Sequence, residues 1–143
     1  MTMADESMSA VRKGDGYAAA HLDDLGQGYG FRKIRRDLGV TAFGVNAIVM
    51  PPGYATGLHF HVKQEELYFV HKGRIEIGFG DGATEELGPG GLAWVDAPTH
   101  RRVRNLSDTD EAVYVVVGAK DGYVGRDGRE PAGETARPTP IDS

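Results

Sequence analysis

From Phe31 onward the chain is built of short β-branched and aromatic runs cut by glycine. Runs of that kind, bounded by turn residues, predict strands rather than helices. Thr41–Met50 (TAFGVNAIVM) reads as a strand stopped by Pro51, Pro52 and Gly53. Glu66–His71 (ELYFVH) is strongly β, and Arg74–Phe79 (RIEIGF) alternates apolar with polar before a Gly-Asp-Gly turn at Gly80–Gly82. Gly57–His61, Thr84–Leu87, Leu92–Val95, His100–Asn105 and Glu111–Val117 complete the set, and Phe31–Leu38 reads as a charged edge strand. About seven to nine short strands with little helix predict an all-β sandwich or antiparallel barrel. Ahead of them, Ala18–Leu25 has room for a helical turn or two, and Met1–Ser9 reads as a loose leader.

The expected organisation is therefore an N-terminal extension over 1–30, a β domain over 31–118 and a C-terminal tail over 119–143. The tail is rich in glycine, proline and charge and has few large apolar residues. Such a segment buries little surface, so it is expected to be loosely ordered. The whole chain, at 143 residues, fits one domain large enough for a hydrophobic core.

Composition narrows the chemistry. There is no cysteine, which excludes disulfides, thiolate catalysis, zinc fingers and iron–sulfur ligation. Any metal must sit on nitrogen and oxygen. The net charge of −5 argues against nucleic acid, where phosphate contacts dominate binding. No apolar run approaches the ~20 residues that span a bilayer. Met1–Ala10 is polar and lacks the apolar core of a signal peptide, so a cytoplasmic protein is expected.

The stretch Gly53–Gly73, GYATGLHFHVKQEELYFVHKG, carries the candidate chemistry. His59 and His61 are two residues apart, and alternate side chains on a strand share a face. Their Cα atoms would stand about 6.5–7 Å apart. Two imidazoles at that spacing can converge on one ion at about 2.0–2.1 Å. Glu66 opens the next strand and can complete a face of two histidines and one carboxylate, leaving positions for water, oxygen or substrate. A His-x-His pair also occurs with no metal, packed in a core or lying on a surface. Here the preceding Pro-Pro-Gly turn and the apolar strand behind the acid favour the metal reading.

The same stretch resembles the first motif of the cupin superfamily: Gly, five residues, His-x-His, three or four residues, Glu, six residues, Gly. Gly53, His59, His61, Glu66 and Gly73 match every position with the four-residue spacer. The six-residue gap to Gly73 selects Glu66 over Glu65, which should point to solvent or a salt bridge. The resemblance covers about Phe43–Gly118 and implies a single cupin domain, a jelly-roll-like antiparallel β-barrel. It also implies that His59, His61 and Glu66 bind one divalent ion inside that barrel, of Fe, Mn, Ni, Cu or Zn.

The second cupin motif is Gly, five residues, Pro-x-Gly, two residues, His, three residues, Asn. Laid without a gap on Gly90–Asn105 it matches only at its ends. Asp96 stands for the proline, Pro98 for the glycine and Arg101 for the histidine, while His100 comes one place early. Strand alternation aims Arg101 inward and His100 outward. Three outcomes stay open. A bulge near Pro98 brings His100 in as the fourth ligand. The ion has three protein ligands and water. Or Arg101 enters the cavity, pairs with Glu66 or repels a cation, and no metal binds. In the last two cases Arg101 could clamp an anionic substrate with its planar fork. Alternatively, Arg101 joins Arg102 and Arg104 in solvent.

Tyr68 shares the face of Glu66 and could hydrogen-bond substrate or fill the core. Trp94 is expected in a barrel layer or a subunit contact, and Phe60 and Leu67 on the face opposite the ligands. Arg32, Lys33, Arg35 and Arg36 read as a solvated edge. The expected function is a metal-binding cupin acting on a small organic molecule, anionic in the readings where Arg101 clamps it, and the resemblance implies dioxygenase, decarboxylase or isomerase chemistry. The alternative is a non-catalytic small-molecule-binding module. The resemblance also implies a homodimer.

Overall fold

The structure, a computed structural model, describes residues 10–131. A hairpin of β1 (Arg12–Gly14) and β2 (Tyr17–Ala19) leads through a 3-10 turn at Leu22–Leu25 to β3 (Gly30–Arg32). A one-turn helix, α1 (Ile34–Leu38), follows. The main strands are β4 (Gly44–Met50), β5 (Phe60–His61), β6 (Glu65–Lys72), β7 (Ile75–Phe79), β8 (Thr84–Leu87), β9 (Leu92–Val95), β10 (Arg101–Asn105), β11 (Ala112–Ala119) and β12 (Gly128–Arg129). The edge strand expected over Phe31–Leu38 is strand only as far as Arg32. Arg35, Arg36 and Leu38 are good helix formers, and Gly39 at φ 80° closes the turn by donating its N–H to the Arg35 carbonyl.

A five-stranded sheet, β3-β4-β11-β6-β9, faces a three-stranded sheet, β10-β7-β8. All pairings are antiparallel, including a separate β12-β5 pair. The all-β, jelly-roll-like expectation holds. The two sheets meet as a sandwich and are not hydrogen-bonded into one closed cylinder.

Alternation makes the core. On β6, Glu66, Tyr68 and Val70 are buried while Glu65, Leu67 and Phe69 are exposed. From the opposing strands Ile75, Ile77 and Val103 fill the space against Val70, Tyr114 and Val116. Each fully buried aliphatic side chain of this group contributes about 1.5–3 kcal/mol. The turn after β6 needs glycine. Gly73 adopts φ 78°, and a Cβ there would meet the Glu111 carbonyl at 2.9 Å. Asn105 ties the far end together: its amide donates to the Pro51 and Asp110 carbonyls, and its oxygen accepts the Ser107 N–H.

Outside, Leu67 pairs with Trp94 and Phe69 with Leu92. These four form a continuous apolar strip, with Trp94 62% and Leu92 59% exposed. Trp94 therefore lies outside the barrel layers, its indole N–H donating to Glu65 at 2.7 Å.

The segment after Gly118 is held down further than its composition suggested. Tyr123 lies under the Arg35 guanidinium at 4.0 Å, and β12 pairs Gly128 with His61 and Arg129 with Phe60. Leader residues 1–9 and tail residues 132–143 lie outside the described part. Among the described residues no helix is long and apolar enough to cross a membrane.

Candidate metal centre

β5 is short because it serves as a bridge between other elements. His59 exchanges backbone hydrogen bonds with Arg101 at 2.8 and 2.9 Å, and the His61 N–H donates to the Ala97 carbonyl. On the other side His61 faces Gly128 of β12. The strand is thus fixed on both edges, with both imidazoles on one face. Glu66 enters from the first inward position of β6, where it lies between Val95 of β9 and Gly118 of β11.

These three side chains meet. Donor atoms of His59, His61 and Glu66 all lie within 4.8 Å of one another. His61 Nε2 stands 3.2 Å from Glu66 Oε1 yet has no hydrogen-bond partner, although it is buried. Donors on one face of an octahedral ion stand about 3 Å apart when the bonds are about 2.1 Å. The His61–Glu66 spacing already fits that face. His59 Nδ1 lies 3.3 Å from the Gly57 carbonyl, an acceptor only. The proton therefore sits on Nδ1 and Nε2 keeps its lone pair.

Protonation states suit cation binding. Burial pushes the His59 imidazole down to about 4, against the opposing pull of the Gly57 carbonyl and Glu66, so it is neutral near pH 7. Burial alone would raise the Glu66 carboxyl. His61, Arg101 and the Tyr68 hydroxyl outweigh it, and the group is held below its ordinary value as an anion. The Tyr68 hydroxyl donates to Glu66 Oε1 at 2.8 Å. Burial, aided by Glu66, raises Tyr68 well above the usual phenol range and Tyr114 likewise, so both stay neutral donors.

The second-motif residues fall differently. Arg101 is fully buried, its guanidinium bonded to the Asp96 and Ala97 carbonyls and 3.8 Å from Glu66 Oε1. It does not line the cavity, which leaves it facing Glu66 rather than a bound molecule. His100 is not among the three grouped donors; its ring stacks on Phe60 at 4.9 Å.

A cavity of about 600 Å³ opens beside the three donors. Four tyrosines, Tyr29, Tyr54, Tyr68 and Tyr114, share its wall with Ile48 and Met50, and among the described residues no lysine or arginine lines it. Sequence reasoning singled out Tyr68 alone of the four. Tyr29 and Tyr54 lie in loops, where no periodicity marks their direction. Gln64 and Asp127 were also missed. Gln64 is buried with its amide nitrogen 3.1 Å from His61 Nδ1 and 3.5 Å from Glu66 Oε2.

Comparison with known proteins agrees with the fold. Residues 46–118 match the profile of the family described as the cupin domain. The chain belongs to the cupin family. It is similar in structure to a sugar phosphate isomerase of the cupin superfamily from Silicibacter pomeroyi, with TM-score 0.61 and 22% identity over 82% of this chain and 67% of that one. A cupin protein from Bacteroides fragilis gives TM-score 0.60 and 21% identity over 75% of this chain and 86% of the other. A structure of the DMSP lyases RdDddP and RnDddQII gives TM-score 0.54 and 28% identity over 62% of this chain. This chain spans only 44% of that lyase chain. No curated protein matches significantly by sequence.

Proposed function

We propose that this protein is a metal-dependent cupin that acts on a small organic molecule through one divalent ion held by His59, His61 and Glu66. The observation that carries the reading is the convergence of two imidazoles and a carboxylate at the wall of a cavity, with a buried ring nitrogen left unpartnered. A bound divalent ion supplies Lewis acidity, or a redox centre if it is iron, manganese or copper. His59 and His61 would each give it a ring nitrogen. Glu66 gives the charge, and Tyr68 holds one Glu66 oxygen in place while turning its ring to the cavity.

The cavity wall selects the rest of the molecule. Among the described residues it offers phenol hydroxyls, apolar surface and the Glu130 carboxylate but no fixed cation. A bound ion would draw an anionic or carbonyl oxygen of the substrate, and the remainder of a compact substrate would pack among the tyrosines. Arg101 acts on Glu66 and has no direct part in substrate binding. The likeness to DMSP lyases puts lyase chemistry first among reactions to assay, beside decarboxylation, isomerisation and dioxygenation. The outward strip of Leu67, Phe69, Leu92 and Trp94 supports a homodimer formed through that face.

The test is metal content of the purified full-length protein, followed by metal exchange and turnover on small carboxylates and carbonyl compounds. The reading expects about one ion per chain and turnover that changes with the metal. Protein that takes up no divalent ion under any loading condition refutes it. One observation favours a second reading, a ligand-binding module without turnover: a buried cation, Arg101, stands where the family's second motif has its histidine. Stoichiometric metal with no turnover on any substrate that binds would favour that reading.

A further inference from the structure

We propose that Asp127, delivered by the segment after the last long strand, is the carboxylate that orients His61 toward the ion. This deepens the metal reading above and rests on it.

Asp127 is buried immediately before β12. Its Oδ2 accepts the backbone N–H of both Lys63 and Gln64 at 2.8 Å, and its own carbonyl accepts the Val62 N–H at 3.2 Å. One residue thus satisfies three successive N–H groups of the turn that joins His61 to Glu66. Those donors have to be paired for the turn to keep its shape. A carboxylate accepting two N–H bonds is also fixed in place, with lone pairs left to accept a further hydrogen bond.

The same Oδ2 lies 3.8 Å from His61 Nδ1. His59 already has its Nδ1 proton set by the Gly57 carbonyl. His61 needs an equivalent acceptor, because Nε2 can offer a lone pair only when Nδ1 carries the proton. Two neighbours compete for Nδ1. The Gln64 amide nitrogen, at 3.1 Å, is a donor and favours the tautomer with the proton on Nε2, which closes the ring to a cation. Asp127 is an acceptor and favours the open tautomer. A movement of about 1 Å brings the ring into a charge-assisted hydrogen bond with Asp127. Carboxylates in that relation to a ligating histidine fix its tautomer and raise its basicity. Asp127 is therefore a positioning residue of the metal centre, although it lies over sixty positions from His61 in sequence.

The experiment uses the full-length protein with Co²⁺ as probe, in the wild type, Asp127→Asn and Asp127→Ala. Affinity is read by chelator competition, ligand geometry by the visible Co²⁺ bands, and the turn by hydrogen exchange of the Lys63 and Gln64 amides in metal-free protein. The asparagine oxygen can still accept the two backbone N–H groups but carries no charge for His61. Asp127→Asn is expected to keep both amides protected while weakening Co²⁺ by about tenfold and shifting its bands, and Asp127→Ala to lose protection and weaken Co²⁺ by about 10–100-fold. Wild-type affinity and bands in Asp127→Asn would overturn the proposal while leaving the metal reading intact. If the alanine variant does not fold, the asparagine variant alone decides. A wild type that takes up no Co²⁺ overturns the metal reading and this proposal with it.

Discussion

The two segments that surround the candidate ion site have parted ways in this chain. Gly53–Gly73 retains each residue of the first cupin motif, and its His59, His61 and Glu66 come together as donors. Gly90–Asn105 keeps the ends of the second motif but places Arg101 where a histidine is expected, and the guanidinium sits buried 3.8 Å from Glu66. The backbone role of the second segment is intact, since Asn105 still ties the loops and Arg101 still pairs with His59. Three motif positions differ, at Asp96, Pro98 and Arg101, and of these Arg101 lies against Glu66. The lesson is that the scaffold duty and the ligand duty of a motif are separable, and that a charge can replace a ligand while the sheet around it stays the same.

The largest test of that contrast is removal of the intact half. His59→Ala with His61→Ala is expected to abolish stoichiometric metal uptake, measured by elemental analysis, with an unchanged β-type circular dichroism spectrum. Retained stoichiometric metal would show that the first segment is not the site. Next is removal of the charge in the altered half. Arg101→Met leaves Glu66 buried without its cation and is expected to lower metal-free stability by about 3 kcal/mol in urea unfolding, as for other buried pairs broken on one side. Loading with metal should recover much of that loss, because the ion then faces the carboxylate. Equal losses with and without metal would mean that Arg101 supports the fold and not Glu66.

A smaller effect is expected from repairing the altered half. Arg101→His supplies a fourth nitrogen and removes a repelling charge, and should tighten Co²⁺ or Zn²⁺ by about tenfold, or about 1.4 kcal/mol. Unchanged affinity in calorimetry would show that the position cannot reach the ion. The smallest change belongs to Tyr68→Phe. It deletes the 2.8 Å bond to Glu66 and should weaken metal binding by a few-fold, about 1 kcal/mol, without loss of folded protein.

How much of this was legible in the sequence follows from how local each determinant is. Spacing within one strand is local, so alternation put His59 and His61 on one face, while the resemblance to the cupin motif, through its gap to Gly73, chose Glu66 over Glu65. Alternation also aimed Arg101 inward and His100 outward, and the side chains lie that way: one buried, the other stacked on Phe60. The helix at Ile34–Leu38 was hidden because a charged five-residue run carries no period long enough to separate edge strand from helical turn. Whether the sheet closes was left open for another reason. Strand patterns do not reveal whether two sheets join edge to edge, and here they pack as a sandwich. Asp127 was invisible because its partners, Lys63 and Gln64, are distant in sequence and its own neighbours are glycine and charge.

Trp94 is the single tryptophan of the chain, and it stands on the outer surface across from Leu67 while Glu66 points the other way. Its fluorescence is therefore a label installed on the back of the molecule. Titrating an ion into the protein should leave the emission wavelength steady, whereas covering that face with a second subunit should move it toward the blue. Occupancy of the centre and self-association can thus be followed separately in one cuvette.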